Sequence, residues 1–241
     1  MNDYNVQAYD EILAWKREIL KPAGLLNRWS KKVQTRINRY YPEKVQNAIT
    51  VTIKNMVKVV LTGSHLTTRK HRNEGMSLKE KDQKVREKID AYRKTAVVEG
   101  AGTGAGGLLL GLADFPLLLA IKIKFLFEAA SIYGFDTKKY EERLFILQIF
   151  QLAFSSDDVR RETWQIIENW ETRKQPLLEL DWTEFQMEYR DYIDFAKMLQ
   201  LMPGIGAAVG AVVNYKLIDR LGEAAMNCYR LRLLSAAPDR S

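Results

Sequence analysis

The sequence predicts an all-α protein, a single domain of about eight or nine helices. Apolar residues recur at helical spacing almost throughout, and no segment alternates apolar and polar residues like a half-buried strand. The interruptions fall where helices stop: Pro22, Pro42, Gly63, Gly134, Pro176 and the pair Pro203 and Gly204. Connections are short, and no repeat or linker divides the chain. Residues 1–241 therefore read as one domain, with a basic N-terminal part (1–95), a glycine-rich helical core (96–234) and a flexible tail (235–241).

The first helix is expected from about Asp3 to Leu20, stopping at Pro22, and a second from about Leu25 to Tyr41, ending at Pro42. The segment from Glu43 to Gly63 is rich in β-branched residues, but its length favours a buried helix over a strand. Ser77 and Glu80 form the S-x-x-E capping box that opens a long charged helix. Its apolar positions are Leu78, Val85, Ile89, Tyr92 and Ala96. After the glycine stretch a break is expected at "LADFP", with Asp114 as the N-cap and Pro116 in the first turn of a helix from about Phe115 to Tyr133. Gly134 can close that helix. Asp136 is expected to open the next, running to about Phe154, and "SSDD" another, to about Arg173 before Pro176. Trp182, Phe185, Tyr189, Tyr192, Ile193, Ala196 and Leu199 make the apolar stripe of a further helix, and the last runs from about Ile205 to Leu234.

Apolar residues are 46% of the chain and charged residues 28%, ordinary values for a soluble globular protein. The single cysteine, Cys228, excludes an internal disulfide framework, fits a reducing compartment and reads as buried and inert. The N-terminus lacks the apolar core of a secretion signal, so the expected location is the cytoplasm. Charge is unevenly distributed. Residues 1–95 hold 21 Lys and Arg against 10 Asp and Glu, whereas residues 96–241 hold 16 against 20. An excess of this kind suits an anionic partner, a lipid surface or nucleic acid, or else a solvated basic face.

The stretch from residue 25 to 41 concentrates that charge. Leu26, Trp29, Val33, Ile37 and Tyr40 gather on one side of a helix, with Arg28, Lys32, Thr35 and Arg39 opposite and Lys31 and Arg36 flanking. An apolar stripe with a tryptophan, backed by a cationic face, is the pattern of a helix lying in a membrane interface. A helix that docks the same stripe on its own core carries the pattern too. Arg28, Trp29, Lys31, Lys32, Arg36 and Arg39 are the candidate membrane-surface residues. Nucleic acid is not expected as a partner, because no zinc-finger spacing, aromatic-basic motif or helix-turn-helix supports it.

The glycine-rich stretch from Gly100 to Gly111 admits three readings. Gly102, Gly104 and Gly107 match G-x-G-x-x-G, but a charged helix precedes them where a dinucleotide fingerprint needs a strand, and no G-K-[ST] supplies a P-loop. A membrane span over residues 100–121 is long enough, yet Asp114 and Pro116 lie within it. The third reading is helix packing. Gly100, Gly104, Gly107 and Gly111 recur at steps of four, three and four, and Gly206, Gly210 and Asn214 stand four apart with Ala207 and Ala211 beside them. Small residues at such spacing let two backbones approach closely, in the manner of a glycine zipper. The two segments are expected to pair.

Catalytic motifs are absent. His65 and His71 sit in a basic loop without metal-pair spacing, and Glu141/Glu142 and Asp157/Asp158 read as caps or solvated charge. No E-x-x-H or G-x-S-x-G occurs. The expectation is no catalytic residue, no cofactor and no metal. Asp114, in an apolar setting, is the candidate polar contact; besides an N-cap, it could face a lipid or ligand groove.

The segments "EGAGTGAGGLLLGLADFPLLLAIKIKFLFEAASIYGFD" and "PGIGAAVGAVVNYKLIDRLGEAAMNCYRLR" resemble the EcsC family of bacterial proteins. "AYDEILAWKREIL" and "ERLFILQIFQLAFSS" are similar too, so the resemblance covers most of the chain. It implies a setting beside an Ecs-type ABC transporter, whose components become expected partners. It implies no activity and no catalytic residues. The combined expectation is a non-enzymatic accessory protein, peripheral on the inner face of the cell membrane, that binds lipid or an apolar ligand. A helical-bundle enzyme or small-molecule carrier with a pocket near Asp114 is the alternative.

Overall fold

The computed structural model describes residues 3–21, 43–63, 75–103, 107–155, 157–179 and 207–234, and at 43–49, 95–103, 107–114, 157–158 and 207–214 it describes the backbone alone. The described residues form eight helices and no strand: α1 (Asp3–Leu20), α2 (Glu43–Thr62), α3 (Leu78–Thr103), α4 (Gly107–Tyr133), α5 (Tyr140–Phe154), α6 (Asp157–Glu168), α7 (Trp170–Glu179) and α8 (Ala207–Leu233). The fold is all-α, as the periodicity predicts.

Local chemistry accounts for the ends. The β-branched segment is helical because Ile53, Met56, Val57, Val60 and Leu61 fall on one face and are buried. Gly63 closes it at φ +68°, a conformation other residues rarely adopt. The capping box before α3 is formed: Ser77 N–H donates to Glu80 Oε2 at 2.7 Å and Glu80 N–H to Ser77 Oγ at 3.3 Å. Gly134, at φ +100°, ends α4 in a Schellman motif, with its own N–H on Ser131 O and that of Phe135 on Ala130 O.

Three expectations need correction. Asp114 does not cap a new helix, because α4 starts at Gly107 and runs through both Asp114 and Pro116. A proline inside a helix costs about 3 kcal/mol, but Phe115, Leu118 and Leu119 beside it are buried and hold the helix to the core while Pro116 faces outward. Pro176 likewise lies inside α7, and the break between helices falls at Asn169 instead. Asp136 makes a turn, its carboxylate accepting from Lys138 N–H at 3.1 Å, and α5 begins four residues later at Tyr140. The expected helices at 25–41 and 182–199 lie outside the described residues.

Helix α8 is the spine, packing on α1, α3, α4, α5 and α6, and its interface with α3 is the most extensive in the described fold. Every residue of α5 from Leu144 to Phe154 is buried, as suits a helix surrounded on all sides. Cations from other helices satisfy three helix C-termini: Arg160 donates to Ile19 O, Arg143 to Leu61 O and Lys81 to Tyr133 O. Among the described residues no helix is long and apolar enough to cross a membrane.

The α3–α8 pair is antiparallel. Asp82 meets Arg230, Ile89 meets Gly222 and Arg93 meets Asp219. At Gly222 the Ile89 side chain fills the space of a side chain, since a Cβ there would lie 2.5 Å from Ile89 Cδ1 and 2.7 Å from Cγ1. Gly222→Ala gains about 1 kcal/mol of helix propensity but overpacks a stiff β-branched side chain, at about 1–3 kcal/mol. A net loss of about 1 kcal/mol is expected by urea denaturation. Adding Ile89→Ala should make the two substitutions less damaging together than their sum; strict additivity would contradict the contact.

Candidate functional site

The apolar stripe of α3 has an acid in it. Leu78, Val85, Ile89 and Tyr92 follow helical spacing, and the position between the first two on that face is Asp82, which is fully buried. The fold places two phenols and a guanidinium around it. Tyr133 Oη, from the last turn of α4, donates to Oδ1 at 2.6 Å, and Tyr4 Oη of α1 donates to Oδ2 at 2.7 Å. Arg230, near the end of α8, donates through Nε to Oδ2 at 2.9 Å and through Nη1 to Glu11 Oε2 of α1 at 2.8 Å. One carboxylate thus ties α1, α3, α4 and α8 together.

The electrostatics follow from this burial. Loss of water and then the Asp82 charge push the Tyr133 hydroxyl well above the usual tyrosine range, and burial followed by the hydrogen bond to Asp82 raises Tyr4. Burial works against the Arg230 charge, but the hydrogen bond and charge of Asp82 outweigh it, with Tyr133 and Glu11 adding, and its pKa rises.

A second buried pair lies two residues further along α8. Arg232 grips Glu142 of α5 with both ends of its fork, at 2.6 and 2.8 Å. Its guanidinium carbon stands 4.1 Å from the Phe135 ring centre, 4.4 Å from that of Phe145 and 6.0 Å from that of Trp170. Glu142 is therefore neither a cap nor solvated charge, as its sequence position suggests, but a buried counter-ion. The ring of Tyr229 joins the two centres, stacking on Tyr133 at 5.5 Å and touching Phe135 and Phe145. Cys228 beside it is buried as expected, and burial pushes its thiol up.

This arrangement can hold helices together, and it offers little for catalysis. A general acid or base must reach the atom it serves, whereas Asp82 has no exposed surface and both oxygens are engaged. A concavity of about 590 Å³ borders this centre at Glu11, lined along α1 by Asp3, Val6, Gln7, Asp10, Glu11 and Ala14, and it is wide open to solvent. Among the described residues no three His, Cys, Asp or Glu side chains cluster closely enough to hold a metal ion.

The residues singled out from sequence fall elsewhere. Arg28, Trp29, Lys31, Lys32, Arg36, Arg39, Gly104 and Gly206 lie outside the described residues, as do His65 and His71. The glycine spacing of four, three and four does not run along one helix: Gly100 belongs to α3, which ends at Thr103, and Gly107 and Gly111 to α4, which starts at Gly107, while Gly210 and Asn214 belong to α8. Asp114 is within α4, where only the backbone is described.

A family model described as the EcsC protein family matches residues 6–234. Protein EcsC of Bacillus subtilis (strain 168) is 50% identical over 224 residues, covering 93% of this chain and 94% of that one. The uncharacterized protein YdbA of the same organism is 26% identical over 249 aligned positions, covering 94% of this chain and 91% of its own. No solved structure matches.

Proposed function

The chain belongs to the EcsC protein family, and from that premise we propose that it is a non-enzymatic accessory protein, bound peripherally to the inner face of the cell membrane beside an ABC transporter. The observation that carries the membrane part is charge. The first 95 residues hold 21 cationic against 10 acidic side chains, and the sequence spacing from 25 to 41 is that of a helix with its cations opposite a tryptophan-bearing apolar stripe. Each cation near an anionic leaflet contributes about 1 kcal/mol. The transporter as partner rests on the family resemblance. The non-enzymatic part is supported by the buried ionisable centres, which bind one another and leave Asp82 no free oxygen. Packing of the glycines at the apolar ends of α3 (Gly100) and α4 (Gly107 and Gly111) on that of α8 (Gly210), as a groove for lipid or an apolar ligand, belongs to the same proposal.

Vesicle flotation tests it. Changing Lys31, Lys32, Arg36 and Arg39 together to Glu should weaken binding to phosphatidylglycerol vesicles at low salt by at least about tenfold. Unchanged flotation would remove this segment from the membrane contact.

A further inference from the structure

Three helices bring apolar stretches to one end of the molecule. On α3 this is residues 95–103, on α4 residues 107–121 and on α8 residues 207–215. Direct contacts align them. Arg93 of α3 pairs with Asp219 of α8 and lies 5.0 Å from the Tyr215 ring, while the neighbouring Tyr92 ring is 5.5 Å from that of Phe125 on α4. Both pairings with α3 are antiparallel, so beyond this level all three helices continue in the same direction into their apolar stretches.

The charges are ordered with respect to that level. On leaving each apolar stretch, the first ionisable residues met are basic: Lys94 and Arg93 on α3, Lys122 and Lys124 on α4, Lys216 on α8. Lys94, Lys124 and Lys216 are exposed, and the acids Asp90, Glu128 and Asp219 follow further along each helix, away from the apolar stretch. Beyond the basic level, Leu117 is 55% exposed, next to the exposed Pro116, and Tyr215 is 40% exposed at the boundary. A leucine above, a tyrosine at the boundary and lysines below is the order that hydrocarbon, interface and anionic headgroups select.

We infer that this end of the α3–α4–α8 trio is inserted into one leaflet of an anionic bilayer, with Lys94, Lys124 and Lys216 at the headgroups. The inference rests on the membrane reading above and adds depth to it. At 1.5 Å per residue the stretch on α3 reaches roughly 13 Å and that on α4 roughly 22 Å, against roughly 15 Å for half of the hydrocarbon core. Glu99 and Asp114 are the acidic residues inside these stretches. On the same rise Glu99 stands roughly 8 Å beyond Lys94 and Asp114 roughly 12 Å beyond Lys122; a carboxylate is most costly at the bilayer centre, so Asp114 marks the deepest point that the trio reaches and limits it to one leaflet. The absence of a crossing helix among the described residues fits that limit.

The test is a depth measurement on the full chain. Leu117→Cys carries an environment-sensitive fluorophore, and Lys84→Cys, exposed towards the other end of α3, carries it as the reference. Cys228, fully buried, is shielded from brief labelling. With phosphatidylglycerol vesicles bearing nitroxides on the upper acyl chain, the label at 117 should shift to the blue and be quenched several-fold more than the label at 84. Changing Lys94, Lys124 and Lys216 together to Glu should weaken that quenching at least about tenfold in lipid titration. Flotation without quenching at 117 overturns insertion and leaves surface binding standing; failure to float overturns both. A label at 117 that becomes shielded with rising protein concentration and no vesicles identifies a second copy as the occupant, and also overturns the inference.

Discussion

Asp82→Ala is expected to destabilise the fold by about 3–5 kcal/mol, because it removes the anion from a buried pair and leaves the cation behind. Arg230 would keep only Glu11, which is partly exposed, and the Tyr133 hydroxyl would lose the acceptor it holds at 2.6 Å. The measurement is the urea midpoint at constant slope. Glu11→Gln, at the open end of the same chain of contacts, should cost well under half as much. Replacing Asp82 and Arg230 together by apolar residues should recover much of the loss, since no unpaired charge then remains. A loss below about 1 kcal/mol for Asp82→Ala would mean that this carboxylate does not join the helices. The same centre predicts alkaline sensitivity. Tyr133 is held protonated above the usual tyrosine range, so its contribution is complete below about pH 10 and is lost as the pH rises further, where the unfolded chain ionises and the folded one resists.

Arg232→Ala should cost a comparable amount, about 3–5 kcal/mol, by stranding Glu142 in α5. Two effects add here. The fork holds both carboxylate oxygens, and the guanidinium carbon lies over the Phe135 and Phe145 rings. Arg232→Lys keeps the charge but loses the fork and the guanidinium contact with the rings, and should fall between wild type and alanine. A double-mutant cycle with Glu142→Gln separates the pair from its surroundings. A coupling above about 1 kcal/mol is expected, and one near zero would contradict the geometry.

Helix positions were legible wherever short-range chemistry decides them. The S-x-x-E box, the glycine after α4 and the spacing of Ile53, Val57 and Val60 all act within a few residues. Pro116 shows the limit of that reasoning. Its local preference is to begin a helix, and burial of Phe115 and Leu118 overrides it. Asp82 and Glu142 were missed because their partners lie 148 and 90 residues away. The faint signal for Asp82 was an acid at a core position of the α3 stripe, hidden in a run where most neighbours are charged. Glu142 carried no such signal, because α5 is buried on every side and has no polar face to depart from. The close approach of α3 and α8 was expected at the glycines of their apolar ends; the described contact that requires a glycine is at Gly222. We propose that the same antiparallel register continues to Gly100 and Gly210.

The membrane assignment is tested most directly by flotation of the unmodified protein with vesicles of phosphatidylglycerol or of phosphatidylcholine across a salt series. Binding to the anionic vesicles at low salt, weakening as salt screens the basic third, is the expected result. A protein that stays at the bottom of the gradient with anionic vesicles at low salt would contradict the account.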